Sequence, residues 1–233
     1  MAIPSRSAHL DSRTLERIPE PELMDEAEQA RAYAAADFAE PHQAFVEHFR
    51  ARFPDHAPRA VLDLGCGPCD VTVRFARAYP GCQLTGIDGA AAMLAQAQAT
   101  LHRAGLTARV RLLQRRLPDV SGIASGFDTI ISNSLLHHLH DPQMLWRSIR
   151  VLAAPGAAVQ VMDLLRPGSA RELEQLVALH AQDAPEILRR DFSNSLRAAF
   201  RVDEIRAQLA AARLALAVEV VSDRHVLMSG RLA

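Results

Sequence analysis

Two glycines one residue apart close a short apolar run in Val61-Leu62-Asp63-Leu64-Gly65-Cys66-Gly67-Pro68-Cys69-Asp70. Glycine tolerates positive φ and lets a ligand approach the backbone without meeting a Cβ. The unpaired N–H groups of a following helix then face whatever sits over the turn. Such a strand, glycine turn and helix is how open α/β sheets bind nucleotide-like cofactors. Asp88 lies 21 residues beyond Gly67, in Gly86-Ile87-Asp88-Gly89. A carboxylate there can accept from both ribose hydroxyls, or cap a helix starting near Ala90. The ribose role is the preferred reading. Met93, one turn further on, can pack on an adenine face or fill the core. Asp63, inside the first strand, is expensive to bury without partners. We read it as bracing the glycine turn, with contact to a ligand amine through water as the alternative.

The elements that must position these residues follow from apolar patterning. Strands are expected at 60–64, 83–87, 109–113, 127–132 and 157–164, with helices at 70–79, 90–104 and 141–152. Alternation of strands with helices predicts βαβ units around a parallel sheet. The link between 113 and 127 holds Pro118, Gly122 and Gly126, so any helix there is short or irregular. Further helices are expected at 168–181 and at 203–213, with Asp203 as N-cap. Between them, 182–202 is either a lid or a helical insertion. Leu216–Val221 and His225–Ser229 read as a hairpin. Ahead of the sheet, residues 1–20 read as an arm, and 21–53 as helical in three pieces: Glu22-Leu23-Met24, Ala27–Phe38 and Pro41–Phe53. The division is therefore 1–55, arm and helical cap, and 56–233, core with an insertion at about 168–202.

The chain has 233 residues, 49% hydrophobic and 23% charged, with net charge −1. That balance is globular and offers no global field for nucleic acid or an anionic membrane. No apolar run approaches the roughly 20 residues of a membrane span, and the first residues lack the apolar core of a secretory signal. Three cysteines, Cys66, Cys69 and Cys82, argue against a disulfide framework. A cytoplasmic location is the expectation.

The fourth expected strand runs into Ser132-Asn133-Ser134-Leu135-Leu136-His137-His138-Leu139-His140-Asp141-Pro142, which puts polar groups at the sheet's carboxyl edge. Together with the glycine turn, Gly86-Ile87-Asp88, Met93-Leu94 and Leu152–Gly156, this segment resembles the class I methyltransferases that depend on S-adenosylmethionine. The likeness is good over 59–165 and loose over 203–230. It implies a Rossmann-like, doubly wound, mostly parallel sheet of seven strands, with an antiparallel C-terminal hairpin and a helical N-terminal cap. It also implies S-adenosylmethionine as cofactor, S-adenosylhomocysteine as product and a small-molecule acceptor. Gly65 and Gly67 would admit the methionine portion and Asp88 would hold the ribose. Arg116 and Leu117 would flank the adenine. Asn133 would border the methionine end through its backbone, and Tyr33 would close over the cofactor carboxylate. Asp63, Cys66, Met93 and Gly89 complete the expected cofactor contacts. Two departures stand out: Gln114-Arg115-Arg116 occupies the place of an acidic adenine contact, and Cys69 replaces a small residue.

Methyl transfer needs alignment of the acceptor with the sulfonium, and a hydroxyl acceptor also needs a base. His138, and after it His137, are the candidates, since imidazole titrates near neutral pH; otherwise both pack or cap near Asp141. His180, Asp191 and Arg197 enter only if 182–202 is a lid. No metal ligands are assigned. Lesser readings are a non-catalytic cofactor-binding module, a dithiol oxidoreductase built on Cys66-Gly67-Pro68-Cys69, and a nicotinamide dehydrogenase, whose fingerprint Asp70 breaks. A metal site of Cys66, Cys69 and the histidines ranks below these. Arg109, Arg111, Arg115 and Arg116 give the single hint of a nucleic-acid surface.

Overall fold

In the computed structural model, which describes residues 14–233, each apolar run named above forms a strand. They are β1 (Ala60–Leu64), β2 (Gln83–Asp88), β3 (Val110–Gln114), β4 (Phe127–Asn133), β5 (Ala153–Leu164), β6 (Ala217–Val220) and β7 (His225–Arg231). They make one sheet in the order β3-β2-β1-β4-β5-β7-β6. The first five are parallel, and β7 runs antiparallel to both β5 and β6. The order reverses at β1, whose neighbours are β2 and β4, so a crevice opens beyond the carboxyl ends of these strands.

Among the described residues, eight α-helices accompany the sheet: α1 (Ala27–Ala35), α2 (Ala39–Arg52), α3 (Asp70–Ala78), α4 (Ala91–Ala104), α5 (Gln143–Leu152), α6 (Ala170–Ala181), α7 (Glu186–Ala198) and α8 (Val202–Ala212). Side chains alternate across a strand, and β1 shows the consequence. Val61 joins Phe45, Phe49 and Phe75 of α2 and α3 on one face. Leu62 and Leu64 join Trp146, Ile149, Ile205 and Leu209 of α5 and α8 on the other. Buried Trp146 also donates its indole N–H to Gln208 Oε1 at 3.1 Å, locking α5 to α8.

The structure corrects several expected elements. Glu22-Leu23-Met24 forms no helix; residues 20–25 run as an extended strap across the crevice. Its anchors are side chains rather than helical hydrogen bonds: Glu22 pairs with Arg116, and Asp25 accepts from the Ala92 N–H at 2.9 Å. Asp203 is the second residue of α8 rather than its cap. The reason lies one turn earlier, where Glu204 Oε2 accepts the Arg201 N–H at 2.8 Å and starts the helix at Val202. The stretch 115–126 is turns without helix. Helix α7 fills 186–198 and packs on α6 and α1. Residues 1–13 of the expected arm lie outside the described residues.

Candidate active site

The glycine turn is fastened to β2. Gly65 and Cys66 both donate their N–H groups to the Ile87 carbonyl, at 2.9 and 3.0 Å. Gly67 donates to Asp88 Oδ2 at 2.9 Å, and Asp88 Oδ1 accepts the Ala90 N–H at 2.8 Å. Asp88 therefore braces the turn that leads into α4 and tethers the glycine turn at once, and burial raises its pKa. Gly65 and Gly67 have φ of +73° and +49°. A Cβ on Gly65 would lie 2.9 Å from Leu135, whereas a Cβ on Gly67 would meet nothing within 4 Å. The bend is thus open on the side of a narrow cavity of about 110 Å³.

All of the expected cofactor residues line that cavity. Asp63 is buried, and Thr72 Oγ1 donates to its Oδ2 at 2.6 Å. It braces the start of α3 through a side chain, not the backbone of the glycine turn, because the Ile87 carbonyl already takes those N–H groups. Burial pushes the Asp63 pKa up to about 7, against the Thr72 hydrogen bond. Met93 packs with Ala30 and Ala90 and borders the cavity. The Arg116 backbone and Cβ approach Gly89, while its guanidinium turns to Glu22. Asn133 donates through Nδ2 to Ser134 Oγ at 3.1 Å, and its buried Oδ1 has no partner. Tyr33 lies against Phe38, ring centroids 4.9 Å apart, and burial beside Asp163, Asp70 and Asp88 pushes its pKa up to about 12.

A second cavity, about 780 Å³, lies between α1, α2, α6, α7 and the carboxyl edge of β5. Met24, Tyr33, His42, Asn133, Ser134 and His138 line both cavities, so the two meet there. At this junction His42 Nδ1 lies 2.7 Å from Asp70 Oδ2. Burial alone would raise Asp70, but the His42 and Arg74 hydrogen bonds hold it down at about 2. An ionised Asp70 only accepts, so Nδ1 of His42 carries the proton of this contact.

The two histidines first named for catalysis behave differently. His137 is buried with Nδ1 2.5 Å from Asp163 Oδ1, and Asp163 Oδ2 accepts the Leu136 N–H at 2.6 Å. Burial opposes charge on the ring, but Asp163 prevails and raises its pKa; Asp163 is correspondingly lowered. His138 goes the other way, to about 3, through burial and the neighbouring His137 charge. It is neutral near pH 7 and a weak base.

A methyltransferase-domain family model matches residues 62–159, spanning the glycine turn, Asp88, Asn133 and both histidines. Over those residues the match supports a class I S-adenosylmethionine-dependent methyltransferase family. The chain is 34% identical over 132 residues to a trans-aconitate 2-methyltransferase of Methylobacterium radiotolerans, covering 55% of this chain and 47% of that one. It is 29% identical over 126 residues to a malonyl-[acyl-carrier protein] O-methyltransferase of Legionella pneumophila, covering 54% and 43%. The chain thus spans about half the length, or less, of the curated relatives it matches. Its fold matches a SAM-dependent methyltransferase from Aquifex aeolicus at TM-score 0.65 and 14% identity, covering 89% and 99% of the two chains. It also matches the plantazolicin methyltransferase BpumL, solved with a desmethylPZN analog and SAH, at TM-score 0.62 and 16% identity, covering 83% and 72%.

The reading from sequence missed three residues that the fold brings to this region: Glu20, His42 and Asp70. The signal for His42 was faint, a lone histidine on the apolar face of a helix. Of the residues in the 182–202 region and its flank, His180 and Asp191 line the large cavity. His180 pairs with Asp223 at 2.6 Å, and Asp191 accepts from Gln29 at 2.8 Å. Arg197 does not line either cavity. The dithiol reading fails electrostatically, since all three cysteines are buried and free and the Cys66 thiol is raised by its contact with Cys69 and by burial. Arg109 is structural, donating to the carbonyls of Ala76, Tyr79 and Cys82. Among the described residues, no helix is long and apolar enough to cross a membrane.

Proposed function

We propose that the chain transfers a methyl group from S-adenosylmethionine to a small-molecule acceptor in the 780 Å³ cavity. The observation that carries this reading is the meeting of the two cavities at Tyr33, His42, Asn133 and His138. A volume of this size lies in the range of small-ligand pockets, roughly 300–1,000 Å³. The residues present fit the cofactor. The bend is open above Gly67, Asp88 presents a carboxylate, and Asn133 Oδ1 is a buried acceptor without a partner. The turn, Asp88, Met93 and Leu117 would hold S-adenosylmethionine, which supplies a methyl made electrophilic by its sulfonium.

The chain's own residues align the acceptor and exclude water. His42 Nε2 takes the acceptor's proton while Nδ1–H remains on Asp70, an arrangement that fixes tautomer and ring orientation. His137, held by Asp163, is a positioning residue, and His138 forms the wall between the two cavities. The base role first given to His138 passes to His42 in this reading, because burial leaves His138 a weak base.

Calorimetry with S-adenosylhomocysteine and a labelled-methyl assay over pooled alcohols, phenols, carboxylic acids, amines and thiols test the proposal. Saturable binding with label transferred to one acceptor class is the expected result. Absence of binding overturns the reading. Binding without transfer to any member of the panel leaves a cofactor-binding module in its place.

A further inference from the structure

The strap and the turn after β4 bring three metal-binding side chains together. Glu20 Oε1 lies 3.4 Å from His137 Nε2 and 3.3 Å from His138 Nδ1. The donor atoms of all three residues fall within 4.8 Å of one another. Without a cation these separations are ion-pair distances, longer than a normal N–H···O bond of about 2.7–3.2 Å, and a bound cation would displace the ring proton. They do match the edge of a tetrahedron, about 3.3 Å, built from Zn–N and Zn–O bonds of about 2.0–2.2 Å.

A second observation points the same way. Asp163 Oδ1 is 2.5 Å from His137 Nδ1 and so aims Nε2 at Glu20. A carboxylate behind a histidine, fixing its tautomer and ring orientation, is the usual support of a metal-bound imidazole. Ser195 Oγ donates to Glu20 Oε1 at 3.0 Å and steadies that side chain in turn. We propose that Glu20, His137 and His138 form a binding site for one borderline divalent cation of the Zn²⁺ class. Two imidazoles and one carboxylate suit such ions better than Mg²⁺ or Ca²⁺.

Three protein ligands leave a coordination position open, as in catalytic rather than structural zinc sites. Both histidines and Ser195 line the large cavity. Resting on the methyl-transfer reading, the cation's role would be to bind the acceptor oxygen and favour its deprotonation. The site itself stands on geometry alone.

The test uses the full chain, stripped with a chelator and titrated with ZnCl₂ and with CoCl₂. One ion should bind per chain, and the Co²⁺ form should show visible d–d absorption without the intense thiolate band that Cys66, Cys69 or Cys82 would produce. Glu20→Gln and His138→Ala should abolish stoichiometric uptake while keeping the native circular dichroism spectrum. Asp163→Asn should weaken uptake by about 10- to 100-fold if it folds. No saturable uptake overturns the proposal, as does uptake that survives both Glu20→Gln and His138→Ala, or a thiolate band. S-adenosylhomocysteine calorimetry on the same samples separates the two ideas. Cofactor binding without metal removes the cation site alone, and metal without cofactor binding removes the methyl-transfer reading alone.

Discussion

His42 and Asp70 meet at 2.7 Å, although 28 residues separate them and they belong to different helices. Asp70 opens α3 directly after the glycine turn, so a helix of the N-terminal cap is tied to the element that starts at the cofactor bend. The pair also faces the junction of the two cavities. It joins the element expected to hold the cofactor to the one expected to hold the acceptor.

His42→Ala should lower turnover about 10²- to 10⁴-fold, the range for losing a general base, with S-adenosylhomocysteine affinity close to wild type. Asp70→Asn keeps the ring but frees its Nδ1, and should lower turnover less. Side-by-side kinetics and calorimetry check both; equal turnover in His42→Ala and wild type removes the role.

The two glycines of the turn should fail in different ways. Gly65→Ala drives a methyl to 2.9 Å from Leu135 at positive φ, so it should destabilise the fold. Strain of this kind costs on the order of 1–3 kcal/mol. Gly67→Ala carries the strain of its positive φ but no clash, and should lower cofactor affinity more than stability. Thermal melts with and without S-adenosylhomocysteine separate the two.

Asp88→Ala removes the brace of the turn into α4 and the tether to Gly67 together. Stability should fall by about 1–3 kcal/mol, the scale for lost hydrogen bonds to a charged group, and cofactor affinity by a similar amount. A variant that loses stability but binds S-adenosylhomocysteine normally would show that Asp88 only shapes the turn.

Asp63 should make the protein less stable as pH rises. Its folded pKa, about 7, lies above the ordinary carboxyl value, so the folded chain holds more protons than the unfolded chain between the two. Stability then falls with increasing pH across that window. Asp63→Asn removes this titration and should gain on wild type at pH 8 relative to pH 5, read from urea unfolding at both values.

The opposite sign applies to His138 and His225, lowered by burial to about 3 and about 4. Below the ordinary histidine pKa the unfolded chain binds protons that the folded chain refuses, so stability falls as pH drops toward 4. His225→Gln, which keeps a polar group beside Ser222, should flatten that slope in the same assay.

The sequence alone determined the sheet and its cofactor edge. Apolar runs of strand length, a glycine pair after the first and an acid after the second are local signals, because strand burial and positive φ constrain residues where they stand. Val61 and Leu62 facing opposite cores follow from the same two-residue period. Only the tertiary structure decided which polar groups meet. Glu20 reaches His137 and His138 because an extended strap, lacking any periodic pattern, is pinned across the crevice by long-range pairs such as Glu22 with Arg116. Asp63 turned to Thr72 because a backbone carbonyl had already satisfied the turn. The partner of His42 and the burial that lowers His138 were likewise set by the fold, and neither is written in the identity of the residue or its neighbours.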